Sequence, residues 1–133
     1  MAEAIAIDAI ARAGERPGAA VNVFSAGLGA AEGAPAAEES VAALRKLGIE
    51  PPIHHSITLT PEMVAKADLI YTMTAAHAAR VLELDPGARG KVFTLDPQGR
   101  DIPDPIGSPQ AVYDLTAQEL RRLINARVQE ILA

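Results

Sequence analysis

The alternation of short apolar runs with longer amphipathic segments constrains the fold of this chain more than any other feature. Runs of apolar and β-branched residues predict strands over 21–24, 69–73 and 91–95. Segments with apolar residues at helical spacing predict helices over 1–13, 35–47, 60–68, 75–84 and 109–132. Strands that alternate with helices are typical of a three-layer α/β/α fold with a mainly parallel sheet.

Local signals mark the ends of several predicted helices. Thr60 followed by Pro61 is typical of a helix start, with Thr as the N-cap and Pro at the first helical position. Gly48 is the expected stop of the helix over 35–47. In the last helix, Thr116 and Glu119 have the spacing of a capping box, which would divide that helix in two.

The predicted sheet lacks a strand at its centre. In folds of this kind the first helix usually follows a first, central strand, and the loop between them binds the ligand. This chain opens directly on a predicted helix, and three strands are few for a sheet covered on both faces. We therefore expect that the first central strand is missing in front of Met1.

Length and composition predict one soluble globular domain spanning 1–133. Of the 133 residues, 49% are hydrophobic and 3% aromatic, so the core must consist mainly of aliphatic side chains. The net charge of −5 argues against a nucleic-acid partner or an anionic membrane surface. No apolar stretch is long enough to span a bilayer, and the N-terminus has no basic region typical of a secretory signal. Cytoplasm is the expected location.

The chain contains no cysteine. Disulfides, cysteine metal sites and a thiol nucleophile are therefore excluded within these residues. No spacing of His and Asp matches a known set of metal ligands, so we expect neither a metal nor a cofactor.

An acid-rich and proline-rich loop spans 101–107. Asp104 lies between Pro103 and Pro105, and Asp101 lies two residues before Pro103; proline fixes its own φ and favours an extended conformation in the residue before it. Asp104, which precedes Pro105, is thus held on a stiff loop, as a general acid must be. Asp, Pro and Gly are also ordinary turn residues, so a polar turn is the alternative interpretation.

Several short motifs, taken in order, resemble the low-molecular-weight protein-tyrosine phosphatases over essentially the whole chain. No single motif is specific, but the order and spacing of all the motifs together are specific for the family. The motifs are Met1-Ala2-Glu3-Ala4, Ser25-Ala26-Gly27, Gly48-Ile49 with His54 and Leu59-Thr60, Ala67-Asp68-Leu69-Ile70 with Met73-Thr74, Lys91-Val92-Phe93-Thr94-Leu95, and Asp104-Pro105 with Gly107.

This resemblance implies hydrolysis of a phosphate monoester through a phospho-cysteine intermediate. In the family, the nucleophile belongs to a Cys-x5-Arg loop that ends just before the segment resembled by Met1-Ala2-Glu3. The resemblance assigns the role of general acid and base to Asp104 and places it near the start of the first helix. With no nucleophile in the chain, we expect residues 1–133 alone to be inactive.

The resemblance also suggests supporting residues. His54 matches a histidine that braces the phosphate loop, and Ser25 matches a supporting serine; a plain loop histidine and a strand-end turn are the alternatives. Asp101 is a weaker candidate, as a structural cap or turn residue.

Ile106 occupies the position of the substrate pocket where tyrosine-directed members usually carry an aromatic residue. An isoleucine cannot stack on a phosphotyrosine ring. A bacterial branch of the family that acts on phosphoarginine has a similar loop.

The resemblance implies that the partner is a phosphorylated protein or a small phosphate ester. A non-catalytic descendant that binds a partner or phosphate, and a fragment completed by a separate chain, remain alternatives.

Overall fold

The computed structural model describes residues 1–14, 21–28, 37–51 and 56–132. Its regular elements follow the predicted alternation of helices and strands. In chain order they are α1 (Ala2–Ala13), α2 (Glu38–Lys46), α3 (Pro61–Lys66), β1 (Ile70–Thr72), α4 (Ala75–Leu84), a 3₁₀ turn (Pro86–Ala88), β2 (Val92–Thr94) and α5 (Gln110–Leu132). The predicted helices and the last two predicted strands are confirmed.

The predicted strand over 21–24 is wrong. Among the described residues, none forms a strand ladder with this segment. Pairing begins only further along, where the Gly27 N–H donates to Ile57 O at 2.8 Å and the Leu59 N–H donates to Gly27 O at 2.9 Å. β-Branched composition favours an extended chain, but a strand also needs a neighbour to accept its hydrogen bonds.

The last helix is continuous, so it contains no internal capping box. The Thr116 hydroxyl donates to the carbonyl oxygen of Val112 at 2.8 Å, one turn earlier in the same helix. A hydroxyl satisfied in this way does not cap a new helix start.

Contacts divide the chain into two compact units. The helical unit comprises residues 1–25, 33–56 and 105–133, and contains α1, α2 and α5. The sheet unit comprises 26–32 and 57–104, and contains α3, α4 and the parallel pair β1–β2. Helices around a small parallel sheet confirm the α/β class.

The core of the helical unit comes from one stripe on each helix. Apolar residues recur every three or four positions, so they fall on the same face of a helix. Helix α5 buries Tyr113, Ala117, Leu120, Leu123, Ile124 and Val128. Helix α1 buries Ala4, Ile5, Ala9 and Ile10, and α2 buries Ala43 and Leu44. This is the aliphatic core that the composition predicts.

A polar network joins α2 to α5 within the helical unit. Lys46 Nζ lies 2.6 Å from Asp114 Oδ2, and Gln110 Nε2 donates to Asp114 Oδ1 at 2.8 Å and to Glu39 O at 2.9 Å. The hydrogen bond from Lys46 and then that from Gln110 lower the pKa of Asp114 from its usual value, against a smaller opposing effect of desolvation.

The sheet unit is centred on the two parallel strands. Ile70, Tyr71 and Thr72 pair with Val92, Phe93 and Thr94 in register. Val64 of α3, Val81 of α4 and Ala88 form its buried core. Helix α3 begins as predicted, because the Thr60 hydroxyl accepts the Met63 N–H at 3.3 Å and Pro61 is the first helical residue.

Lys91 fixes the far end of α3 to the start of β2. Its Nζ donates to the carbonyl oxygens of Val64, Ala65 and Ala67 at 2.6, 3.2 and 2.8 Å. The last carbonyls of a helix have no partner within the helix, and a cation also interacts favourably with that end of the helix dipole.

We expect Lys91→Met to lower the free energy of unfolding by about 1–3 kcal/mol, because hydrogen bonds from a charged donor are lost and carbonyls are left unpaired. Urea unfolding followed by circular dichroism measures the change. Lys66→Met is the matched control, since Lys66 lies exposed in the last turn of the same helix; its effect should stay within about 0.5 kcal/mol. Equal losses for the two variants would contradict the capping role of Lys91.

Asp114 should make stability depend on pH. A carboxyl whose pKa is lowered in the folded state stabilises that state above its unfolded pKa of about 4, and this contribution is lost as the pH falls through the lowered folded pKa. Asp114→Asn should therefore destabilise the protein at neutral pH and not at strongly acid pH. Unfolding measured across the acid range tests this. In a Lys46→Met background the Asn change should lose most of its pH dependence, and an undiminished dependence would contradict the assigned cause.

Candidate active site

The loop that carries the predicted general acid follows β2 and opens with a closed turn. Asp96 is buried, and its Oδ1 accepts the Gln98 N–H at 2.8 Å while its Oδ2 accepts Arg100 Nε at 3.0 Å. The carbonyl oxygen of Asp96 accepts the Gly99 N–H at 2.9 Å. These bonds fold residues 96–100 into a compact turn directly before Asp101.

The next two residues attach the loop to the end of β1 and the start of α4. Asp101 Oδ1 accepts the N–H of Ala75, the first residue of α4, at 2.9 Å. The N–H of Ile102, whose side chain is buried, donates to Met73 O at 2.9 Å. The first N–H groups of a helix have no partner within the helix, and the Asp101 carboxylate accepts a hydrogen bond from one of them. Its negative charge also interacts favourably with the dipole of α4.

Asp104 lies exposed at the end of this attached segment. Pro103 and Pro105 flank it, so the φ angles of both its neighbours are fixed. The attached residues Asp101 and Ile102 lie only three and two residues before it. The structure therefore places Asp104 on a stiff, solvent-accessible segment, as its sequence context predicts.

Ile106 lies in the turn that leads into α5. The Ser108 N–H donates to Pro105 O at 2.8 Å, and Gly107 closes the turn with φ of +79°. Such a φ disfavours any residue with a β-carbon. The Ile106 side chain is 77% exposed, the largest fraction of any large apolar residue described. An apolar side chain this exposed is available to contact another molecule.

Ser25 lies in the N-terminal part of the chain, and its side chain is hydrogen-bonded to the first helix. Its hydroxyl donates to a carboxylate oxygen of Glu3 at 2.8 Å, in the first turn of α1. Ser25 therefore fixes the segment after residues 21–24 to the beginning of this helix. His54 lies outside the described residues, as does His55.

Two further features bear on what the described residues bind. They contain no group of three or more His, Cys, Asp or Glu residues placed to hold a metal ion. None of the helices in the described ranges has both the length and the apolar character needed to cross a membrane.

The sequence predictions missed Asp96, although a signal for it is present. Asp96-Pro97-Gln98-Gly99 has Asp, Pro and Gly at the first, second and fourth positions of a four-residue turn, which is the composition a type I turn favours. The partner of Asp101 carries no such signal, because Ala75 is 26 residues away in the sequence.

Comparisons with known proteins place the chain in a family. The sequence profile described as "Low molecular weight phosphotyrosine protein phosphatase" matches residues 1–132. The chain therefore belongs to the low-molecular-weight phosphatase family. It is 36% identical over 115 residues to a protein-arginine-phosphatase from Geobacillus stearothermophilus, covering 84% of this chain and 77% of that protein.

Tyrosine-directed relatives are similar to the same degree. A probable low molecular weight protein-tyrosine-phosphatase, EpsP, from Ralstonia nicotianae is 32% identical over 114 residues, covering 85% of this chain and 79% of the relative. The solved low molecular weight protein tyrosine phosphatase from T. tengcongensis matches the structure with a TM-score of 0.84 at 34% identity, over 97% of this chain and 88% of that one. The predicted fold and family are thus confirmed.

Proposed function

We propose that this chain provides the general acid and base, and the surrounding protein body, of a phosphatase that acts on phosphorylated proteins through a phospho-cysteine intermediate. The observation that carries the proposal is Asp104, exposed on a proline-flanked segment that Asp101 and Ile102 attach to the end of β1 and the start of α4. Membership of the phosphatase family supplies the reaction.

The reaction assigns two successive roles to one carboxyl group. In the first step a cysteine thiolate forms the S–P bond, the bond from phosphorus to the leaving group breaks, and Asp104 gives its proton to the leaving atom. In the second step water forms a P–O bond, the S–P bond breaks, and the Asp104 carboxylate takes a proton from the water. Asp104 ends the cycle protonated again, so it is unchanged overall.

A phospho-cysteine intermediate needs a thiolate, so in the proposed reaction the nucleophile does not come from residues 1–133, which contain no cysteine. Ser25 donates its hydrogen bond to the Glu3 carboxylate, and we assign it a supporting role at the start of α1. His54 and Asp101 are proposed as the other supporting residues, as the resemblance suggests.

A phosphoarginine substrate is the second candidate, and Ile106 favours it. A guanidinium has no aromatic ring, so a flat ring at this position is not needed to bind it, whereas a phosphotyrosine ring gains from a stacked aromatic partner. Relatives named protein-arginine-phosphatase at 36% and 35% identity are consistent with that choice.

The central test compares residues 1–133 with an extended chain, in which a strand and a Cys-x5-Arg loop of the family pattern precede Met1. We expect no turnover by residues 1–133 and measurable turnover by the extended chain. In the extended chain, Asp104→Asn should lower kcat by ~10²–10⁴-fold for a substrate with a poor leaving group, and by less for an activated aryl phosphate.

Asp68→Asn is the control, because Asp68 is exposed in the same unit but lies outside the loop. It should leave kcat unchanged. Turnover by residues 1–133 above a no-protein blank would disprove the need for an added nucleophile. A loss that does not depend on the leaving group would remove Asp104 from the role of general acid.

Ile106→Tyr should shift the preference of the extended chain towards phosphotyrosine. A stacked aromatic pair contributes about 0.5–1.5 kcal/mol, so kcat/KM for a phosphotyrosine peptide should rise about 2- to 10-fold relative to a phosphoarginine peptide of the same sequence. Val112→Tyr is the control, since Val112 is another exposed apolar residue of the helical unit. An unchanged ratio for Ile106→Tyr would show that Ile106 does not contact the substrate.

A further inference from the structure

Asp96 is a buried charged side chain that the proposed reaction does not use. The whole residue is 3% exposed, and the only other buried polar residue among those described is Thr72. Aspartate is rarely buried to this extent unless its charge is paired and hydrogen-bonded. Here each carboxylate oxygen has a donor, the Gln98 N–H for Oδ1 and Arg100 Nε for Oδ2.

Four bonds of Asp96, with Thr94, Gln98, Gly99 and Arg100, fall within one short stretch of chain. Its carbonyl oxygen accepts both the Thr94 hydroxyl and the Gly99 N–H at 2.9 Å, which joins the end of β2 to the turn. The turn from Asp96 to Arg100 leads without a spacer into Asp101. The path of the chain at Asp101 is therefore set by how residues 96–100 fold.

The attachment of Asp101 to α4 depends on that path. For Asp101 Oδ1 to lie 2.9 Å from the Ala75 N–H, the backbone at Asp101 must arrive in one position and one direction. The bond from the Ile102 N–H to Met73 O imposes the same requirement one residue later. Asp104 follows after Pro103 alone, whose ring fixes φ. A change in the backbone conformation of the turn would therefore displace the carboxyl of Asp104 as well.

The ion pair to Arg100 is not the main source of this order. The Arg100 side chain is 66% exposed, whereas that of Asp96 is 4% exposed. An arginine that faces water gives an ion pair of small net energy. The bond from the Gln98 N–H to the buried carboxylate oxygen matters more, because it closes the turn itself, two residues after Asp96.

We propose that Asp96 is a positioning residue, whose buried carboxylate folds residues 96–100 so that Asp101 and Ile102 reach β1 and α4 and Asp104 is held in its reactive direction. This inference rests on the proposed function for the role of Asp104. The attachment of the loop itself is a property of residues 1–133 and can be measured without turnover.

The first experiment measures amide hydrogen exchange by NMR in residues 1–133. Asp96→Ala should speed exchange at the N–H groups of Ala75 and Ile102 by about 2- to 10-fold, the change expected when one ordinary hydrogen bond is lost. Exchange at the Ile70 N–H, which donates to Lys91 O between the two strands, should remain as it was. An equal increase at all three amides would indicate loss of overall stability and would overturn the proposal.

Asp85→Ala is the matched control. Asp85 Oδ1 accepts the N–H two residues ahead, from Gly87 at 3.0 Å, as Asp96 does with Gln98. Asp85 lies in the same unit but outside the loop, so exchange at Ala75 and Ile102 should not change. If Asp96→Ala fails to fold, Asp96→Asn and Arg100→Ala replace it. The first keeps an oxygen for the Gln98 N–H, and the second removes only the ion pair.

Asp96→Asn places an NH2 donor opposite Arg100 Nε, so it should speed exchange at Ala75 and Ile102 more than Asp85→Ala does. Arg100→Ala removes only an ion pair of small net energy, so its effect should resemble that of Asp85→Ala. No difference between Asp96→Asn and Asp85→Ala would overturn the proposal.

The second experiment is a double-mutant cycle in the extended chain. Asp96→Ala should lower kcat for a substrate with a poor leaving group by about 10-fold or more, because a misplacement of about 1 Å can cost ~10²-fold. In an Asp104→Asn background the same change should cost almost nothing, since a residue that acts through Asp104 has no effect once that carboxyl is gone.

An equal loss in both backgrounds would assign Asp96 a general structural role and overturn the proposal. If the unsubstituted extended chain shows no turnover, the proposed function fails, and the exchange measurement alone decides the role of Asp96.

Discussion

Two hydrogen bonds join the acid loop to the end of β1 and the start of α4, and the position of Asp104 depends on them. They run from Ala75 N–H to Asp101 Oδ1 and from Ile102 N–H to Met73 O, each at 2.9 Å. Parallel sheets bind ligands beyond the carboxyl ends of their strands. The two bonds therefore keep the loop at the carboxyl end of β1, where an α/β fold places its chemistry. Asp104 is held there although it belongs to no helix or strand.

The two short strands alone would give the sheet little stability. Each has three residues, and an isolated two-stranded sheet is marginal in water. Their support comes from the helices of the same unit, through the core of Val64, Val81 and Ala88 and through Lys91, which binds three carbonyls at the end of α3. Lys91 directly precedes β2, so the cap of α3 also fixes where that strand starts.

Sequence could predict the features that depend on neighbouring residues. The start of α3 follows from Thr60 and Pro61, and the structure has the expected cap. Features that depend on distant partners were harder. Residues 21–24 have the composition of a strand but no ladder among the described residues, and Asp101 gains its role from an N–H 26 residues away. The chemical role of Asp104 came from resemblance, since an exposed aspartate beside a proline is also an ordinary turn residue.

Different hydrogen bonds position Asp104, the proposed acid, and Ile106, the residue proposed to contact the substrate. Asp104 takes its position from the bonds at Asp96, Asp101 and Ile102, whereas Ile106 lies in a turn closed by the Ser108 N–H to Pro105 O bond. A change of side chain at Ile106 disturbs neither set, because the residue is 77% exposed and its own side chain closes no turn. In the proposed reaction, substrate preference can thus change while proton transfer is kept. Such a separation is consistent with a family whose members are named for phosphotyrosine and for phosphoarginine.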